Sequence, residues 1–318
     1  MNIEIQKLAK RIVEYSINVQ PKEKVLIMYF SNKCKNLIKE IIKNINNSGG
    51  VPFYKLVDKE LDALLLNQNN DGVIDLLVSQ LEYEVNKFDS IIYVRYTENE
   101  YETKSVDSTY KVKLSLKSRP FNDIRVNQRK WVLFNYPSVI DAYKAHMSFD
   151  EFYNYAFSVM NVDYSKMREK LEPLKQLMEK TDKVRMVGPG TDISFSIKGM
   201  PAIPCCGTAN IPDGEIFTAP IKTSVNGVIK FNTPSPYHGK VYNGVTLKFK
   251  DGKIIEATCD GDNESLNKIF DTDEGARYVG EFSFGLNPKI LDPMGDILFD
   301  EKIIGSLHFT PGKCYDDA

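Results

Sequence analysis

A chain of 318 residues is longer than a single hydrophobic core usually serves, so two domains are expected. Its 42% hydrophobic and 26% charged residues are those of a globular protein and exclude the disordered and fibrous classes. A net charge of -2 gives no general attraction for phosphate backbones or anionic lipid, and no apolar run reaches bilayer length, so neither nucleic acid nor a membrane is an expected partner.

At the amino terminus Glu4, Lys7, Lys10 and Arg11 interrupt the apolar residues, unlike the core of a signal peptide. Helical spacing of Ile5, Leu8, Ile12 and Ile17 predicts a helix over 3–18, followed by a buried strand over 24–30. Ser31 is a fitting N-cap for a helix that carries Leu37, Ile41 and Ile45 and stops at Ser48, Gly49 and Gly50. Strands over 51–57, 90–96 and 130–135 and helices over 59–68 and 72–87 complete an alternation that indicates a mainly parallel sheet covered on both faces. No Gly-x-Gly-x-x-Gly or Walker loop follows any of these strands, so no nucleotide cofactor is assigned. Trp131 and Tyr136 read as core aromatics, and His146, ahead of a helix over 148–160, reads as solvated or capping.

A charged helix over 164–180 leads to a change of pattern, which divides the chain into an α/β domain, 1–182, and a strand-rich α+β domain, 183–318. Strands are expected over 184–188, 192–198, 227–232, 241–250 and 253–259, with Asp251 and Gly252 as a two-residue hairpin turn. Gly188, Pro189 and Gly190 read as a turn, since no helix follows to make a phosphate cradle. Helical pieces over 264–270 and 272–278 follow. Five cysteines, odd in number and with Cys205 and Cys206 adjacent, read as thiols of a reducing compartment, so a cytoplasmic location is expected.

Three polar residues of the second half stand out. Pro212, Asp213 and Gly214 make a turn that presents Glu215 ahead of an extended Ile216, Phe217 and Thr218, and Pro220 confines that segment to a short or edge strand. Over 279–286, alternation puts Phe282, Phe284 and Leu286 on one face and Glu281, Ser283 and Gly285 on the other. Over 306–310, His308 shares a polar face with Ser306 and Thr310. Two carboxylates and an imidazole suit a divalent ion, and Glu301 is available as a further carboxylate to take a proton from water. The competing readings are a solvated loop carboxylate for Glu215 and a structural histidine for His308.

These segments resemble the metallopeptidases named for aminopeptidase T and aminopeptidase S. The resemblance is carried by Asn-Ile-Pro-Asp-Gly-Glu-Ile-Phe-Thr-Ala-Pro at 210–220, Gly-Val-Ile-Lys-Phe-Asn-Thr-Pro-Ser-Pro at 227–236, Asp-Thr-Asp-Glu-Gly-Ala-Arg-Tyr-Val-Gly-Glu at 271–281, and the run from Phe299 to Tyr315. The Asn-Tyr-Pro-Ser stretch at 135–138 extends it into the first half. It implies Glu215, Glu281 and His308 as metal ligands, Glu281 bridging two divalent ions (zinc, cobalt or manganese), and catalytic roles for Glu301 and Tyr315. It also implies cleavage of amino-terminal residues from short peptides by a homodimer. The family pattern runs on to a His-x-Asp pair that completes the metal site, and the sequence reaches Ala318 before such a pair, so a chain ending there is expected to bind metal weakly and turn over poorly. Two alternatives stand beside this: a ring-cleaving dioxygenase of the same superfamily with one ferrous ion, and an inactive peptide- or metal-binding relic.

Overall fold

Helices α1 (Ile3–Arg11), α2 (Lys35–Asn47), α3 (Lys59–Leu66), α4 (Asp71–Lys87), α5 (Ser108–Gln128), α6 (Val139–Lys144) and α7 (Phe149–Met160) alternate with strands β1 (Lys24–Tyr29), β2 (Val51–Leu56), β3 (Ser90–Arg95) and β4 (Lys130–Asn135). After α8 (Tyr164–Lys180) come β5 (Lys183–Gly188), β6 (Thr191–Ser196), β7 (Ile203–Cys205), β8 (Asn210–Ile211), β9 (Glu215–Thr218), β10 (Asn226–Lys230), β11 (Ser235–Tyr237) and β12 (Lys240–Tyr242). The remainder is β13 (Thr246–Lys250), β14 (Lys253–Thr258), α9 (Asn263–Phe270), β15 (Val279–Gly285), α10 (Ile297–Asp300) and β16 (Leu307–Pro311). The computed structural model describes residues 2–67, 70–237 and 240–314. No helix among them is long and apolar enough to cross a membrane.

The chain divides into two units, Met1–Val162 with Gly207–Pro212, and Asp163–Cys206 with Asp213–Ala318. The first is built on a parallel sheet of order β2-β1-β3-β4-β8. Val25, Leu26, Ile27, Ile91, Ile92, Val94, Val132 and Phe134 are buried, as central parallel strands require. At the edge, β2 leaves Phe53 and Tyr54 exposed, so one flank of the expected two-sided cover is open. Helix α5 falls where the sequence suggests no element: Pro120 lies inside it and Val112 and Leu116 are exposed, so neither propensity nor a single apolar face announces it.

In the second unit a sheet of order β14-β13-β10-β6-β5 and a sheet of order β16-β15-β9-β7 supply one apolar core. Phe195, Phe282 and Phe309 meet at its centre, with ring centroids 5.0 Å apart for Phe195–Phe282 and for Phe195–Phe309. Met178 of α8 belongs to this core, so α8 packs with the second unit, and the division falls after Val162 where the change of sequence pattern suggested 182. The expected strand over 241–250 is split between β12 and β13. The helix expected over 272–278 is a series of turns, because Asp273 Oδ1 accepts from the backbone N–H groups of Gly275 and Ala276, both at 2.8 Å, and so competes with helix formation.

Candidate metal centre

Strand register assembles the centre. Across β7, β9 and β15, Cys205 pairs with Glu215 and Glu215 with Gly285; across β15 and β16, Ser283 pairs with His308. Glu281, Ser283 and Gly285 share one face of β15, and Phe282 on the other face is buried in the core beside Phe309. Glu281 and His308 are therefore diagonal neighbours, a separation that long side chains bridge. Glu215 stands at the head of β9, delivered by the turn at Asp213 and Gly214. Gly214 has φ +125°, and a Cβ there would come 3.1 Å from the Asn287 backbone, so a side chain would disrupt the approach.

The result is a tight cluster. His308 Nε2 lies 2.6 Å from Glu281 Oε1 and 3.2 Å from Glu215 Oε2, and the donor atoms of the three residues all lie within 4.8 Å of one another. Ser283 Oγ is 3.1 Å from Glu215 Oε2, where its hydroxyl can donate. Glu215 is buried, which removes the solvated-loop alternative. Burial works against charge on both partners. It raises the Glu215 carboxyl, yet the charges of Lys302 and His308 outweigh it and hold the group at about 2. Burial likewise lowers His308, but the hydrogen bonds and charges of Glu215 and Glu281 hold it up at about 9.

Lys302 is the member that sequence reasoning missed. Its side chain has no exposed surface, and its ammonium lies 2.9 Å from Glu215 Oε1 and 2.6 Å from Glu301 Oε2. Burial pushes the Lys302 ammonium down, and the adjacent Glu215 and Glu301 carboxylates push it up by more, keeping it charged. Burial raises the Glu301 carboxyl, and the Lys302 charge opposes that rise. Glycine makes the arrangement possible. A Cβ on Gly285 would sit 2.2 Å from the Ile303 carbonyl oxygen, so the bare backbone lets the 301–306 segment lie against the sheet beside Glu215.

Glu215, Glu281 and His308 are thus brought together, and Glu301 is joined to Glu215 by the Lys302 ammonium they share. Tyr315 lies outside the described residues. His146 is exposed, in keeping with a solvated histidine, and Tyr136 is buried. A second set, Cys205, Asp213 and Glu215, also brings one donor atom each within 4.8 Å, although burial pushes the Cys205 thiol well above its ordinary value. Nothing in the spacing of Cys205 and Lys302 along the chain signals their place beside Glu215.

The first set fits a divalent ion. Two carboxylate oxygens and one imidazole nitrogen lie within 4.8 Å of one another, and His308, held up at about 9 by its hydrogen bonds and the carboxylate charges, carries positive charge between them. His308 Nδ1 is buried without a hydrogen-bond partner among the described residues, which leaves Nε2 as the nitrogen engaged at this point.

Similarity to known proteins agrees with this reading of the fold. The chain is 38% identical over 110 residues to aminopeptidase 2 of Geobacillus stearothermophilus, a match covering 33% of this chain and 26% of that protein. Matches to five curated aminopeptidases span about a quarter to a third of their lengths. Among solved structures, wild-type AmpT from Thermus thermophilus superposes with a TM-score of 0.78 at 18% identity, covering 96% of this chain and 85% of that one. The 2,5-dihydroxypyridine dioxygenase of Pseudomonas putida superposes with a TM-score of 0.62 at 11% identity, covering 99% and 87%. At such identities the likeness is one of fold. The sequence profile of the thermophilic metalloproteases (M29) matches residues 1–318 from end to end, and the chain belongs to that family.

Proposed function

We propose that this chain is a metal-dependent aminopeptidase that hydrolyses amino-terminal residues from short peptides. The observation that carries the proposal is the convergence of Glu215, Glu281 and His308, in a member of a metalloprotease family. Glu215 Oε2, Glu281 Oε1 and His308 Nε2 are the atoms that would hold an ion. A divalent ion supplies an acidified water and polarisation of a carbonyl. Glu301 is the candidate proton acceptor, because it is a buried carboxylate beside the three groups that would hold the ion and is not one of them, and burial raises its carboxyl. Lys302 fixes one Glu301 oxygen and neutralises Glu215. Tyr315 is proposed, on family resemblance, to donate its hydroxyl to the oxyanion of the substrate.

The mixed oxygen and nitrogen donors suit zinc, cobalt or manganese, and the resemblance implies two ions per chain. A homodimer is proposed on the same ground, and a cytoplasmic location on the five free cysteines. The dioxygenase alternative has only shared fold at 11% identity behind it.

The test compares hydrolysis of a free dipeptide with that of its amino-acetylated form, with and without a chelator. Cleavage of the free form alone, abolished by chelation and restored by added metal, is the expected result. Equal cleavage of both forms, or activity that survives chelation, overturns the proposal.

A further inference from the structure

Strand β2 forms an edge of the parallel sheet, and its hydrogen bonds fix which of its backbone groups face outwards. Val51 N–H donates to the Glu23 carbonyl at 2.7 Å and Val57 N–H to the Tyr29 carbonyl at 2.8 Å, in a register that pairs Lys24 with Val51 and Tyr29 with Leu56. Residues 51, 53, 55 and 57 therefore turn their N–H and C=O groups to β1, and those of Tyr54 and Leu56, with the Pro52 carbonyl, point away from it. Proline is tolerated at 52 because the N–H it lacks would point outwards. These outward groups take no backbone partner among the described residues.

Sheet edges are commonly blunted by charge, by a bulge or by a covering element. This one is bordered by apolar surface: Phe53 and Tyr54 are each 59% exposed, and Tyr83 of α4 is 61% exposed. A groove of about 680 Å³ between β2 and α4 is lined by Leu26, Phe53, Tyr83 and Phe88. Its one carboxylate among the described residues, Glu84, is held by Lys55 at 2.8 Å. Two further lysines mark one end of the groove. Lys24 lies beside Val51, the first residue of β2, and Lys87 is the last residue of α4, two positions before Asp89, whose N–H donates to the Lys24 carbonyl. The Asp89 carboxylate accepts from the Lys24 backbone N–H, and neither ammonium has an ion-pair partner among the described residues.

We propose that the β2 edge is a peptide-binding site outside the metal centre. It takes an extended peptide antiparallel to β2, with apolar side chains at alternate positions and its terminal carboxylate at the Lys24–Lys87 end. The outward groups of residues 52, 54 and 56 supply main-chain bonds, and the groove receives the apolar side chains of one face. Charge sets the direction: a parallel strand would bring its terminal ammonium to the two lysines and be repelled. The site goes beyond the hydrolysis proposed above and needs no metal.

The experiment titrates the 318-residue chain, with a chelator present, into fluorescein-labelled Val-Thr-Val-Thr-Val with a free carboxyl terminus, and reads anisotropy. The label blocks the amino terminus. Saturable binding to the parent chain is expected. Leu56→Ala keeps the outward N–H and Leu56→Pro removes it, so proline should weaken binding about ten-fold beyond alanine, the usual cost of one hydrogen bond left unmade. Amidating the peptide's carboxyl end should weaken binding by about the same factor, and Lys24→Gln with Lys87→Gln should then cause no further loss. Circular dichroism checks that each variant is folded; should Leu56→Pro not be, the amidated peptide and the lysine variants decide. No saturable binding, equal binding of free and amidated peptide, or equal binding by folded Leu56→Pro and Leu56→Ala overturns the inference. A parent chain that sediments as a dimer and dissociates in Leu56→Pro gives the edge to a second copy and overturns it too. Dipeptide hydrolysis, measured separately with metal, should be the same in Leu56→Pro as in the parent chain, so failure of either proposal leaves the other standing.

Discussion

His308 Nε2 and Glu281 Oε1 stand 2.6 Å apart across antiparallel neighbours β16 and β15, with Glu215 Oε2 at 3.2 Å from the same nitrogen. The short contact places a proton where an ion would sit, so proton and metal compete for one position.

That competition gives the first prediction. Glu281→Gln keeps the shape of the side chain but removes the charge, and His308→Ala removes the nitrogen donor. Each should weaken Mn2+ or Zn2+ binding by more than about 100-fold, beyond the usual cost of losing an outer partner of a ligand. Isothermal titration measures it. Retained affinity in either variant would show that the ion, if any, is held elsewhere.

The metal-free chain should also show a defined stability window. The Glu215 carboxyl drops from 4.5 to about 2 on folding, so its contribution is complete above 4.5 and is lost as pH falls towards 2. His308 rises from 6.5 to about 9, so its contribution is complete below 6.5 and is lost as pH rises through about 9. Thermal unfolding with a chelator present should therefore give its highest midpoint between pH 4.5 and 6.5, declining on both sides. Saturating metal should flatten the alkaline decline, because an ion requires neutral His308. A chelated protein that grows more stable between pH 7 and about 9 would contradict the assigned pairing.

The legibility of this centre depends on how local each cause is. Glu281 and His308 can be picked out because strand alternation sets them opposite Phe282 and Phe309, which are buried as the pattern requires. The Pro-Asp-Gly turn similarly marks Glu215, though nothing local says that it is buried. Lys302 is not legible: between Glu301 and Ile303 it reads as an ordinary solvated charge, and its burial follows from bare backbone at Gly285, seventeen positions earlier in the chain. For the fold, the buried runs of β1, β3 and β4 announce a parallel sheet. Pro120 and an uneven apolar pattern conceal α5, whose place is set by packing on α4.

Glu301 is separated from the Glu215–Glu281–His308 set by the Lys302 ammonium, and this separates its effect on chemistry from its effect on binding. Glu301→Gln still offers Lys302 an oxygen but cannot accept a proton. It should lower kcat for a free dipeptide by about 10²–10⁴-fold, the usual worth of a general base, while metal affinity stays near that of the parent chain. Unchanged kcat would assign the proton transfer to another group, and a parallel loss of metal would make Glu301 a ligand.

Gly285 tests how the segment bearing Lys302 is seated. A Cβ at this position would lie 2.2 Å from the Ile303 carbonyl oxygen and 2.6 Å from Ser306 Oγ. The serine hydroxyl can turn away, but the carbonyl belongs to a backbone held by the bonds between Gly285 and residues 305 and 306. Gly285→Ala must therefore lift the 301–306 segment and draw Lys302 away from Glu215, at a cost of about 1–3 kcal/mol for overpacking. Gly188→Ala is the control, since nothing lies within 4 Å of its added carbon. Urea denaturation should show the loss in Gly285→Ala alone. Mass spectrometry after brief acylation should find Lys302 modified in that variant and protected in the parent chain. Equal stability of the two variants, with Lys302 still protected in both, would mean that the segment does not depend on bare backbone at 285.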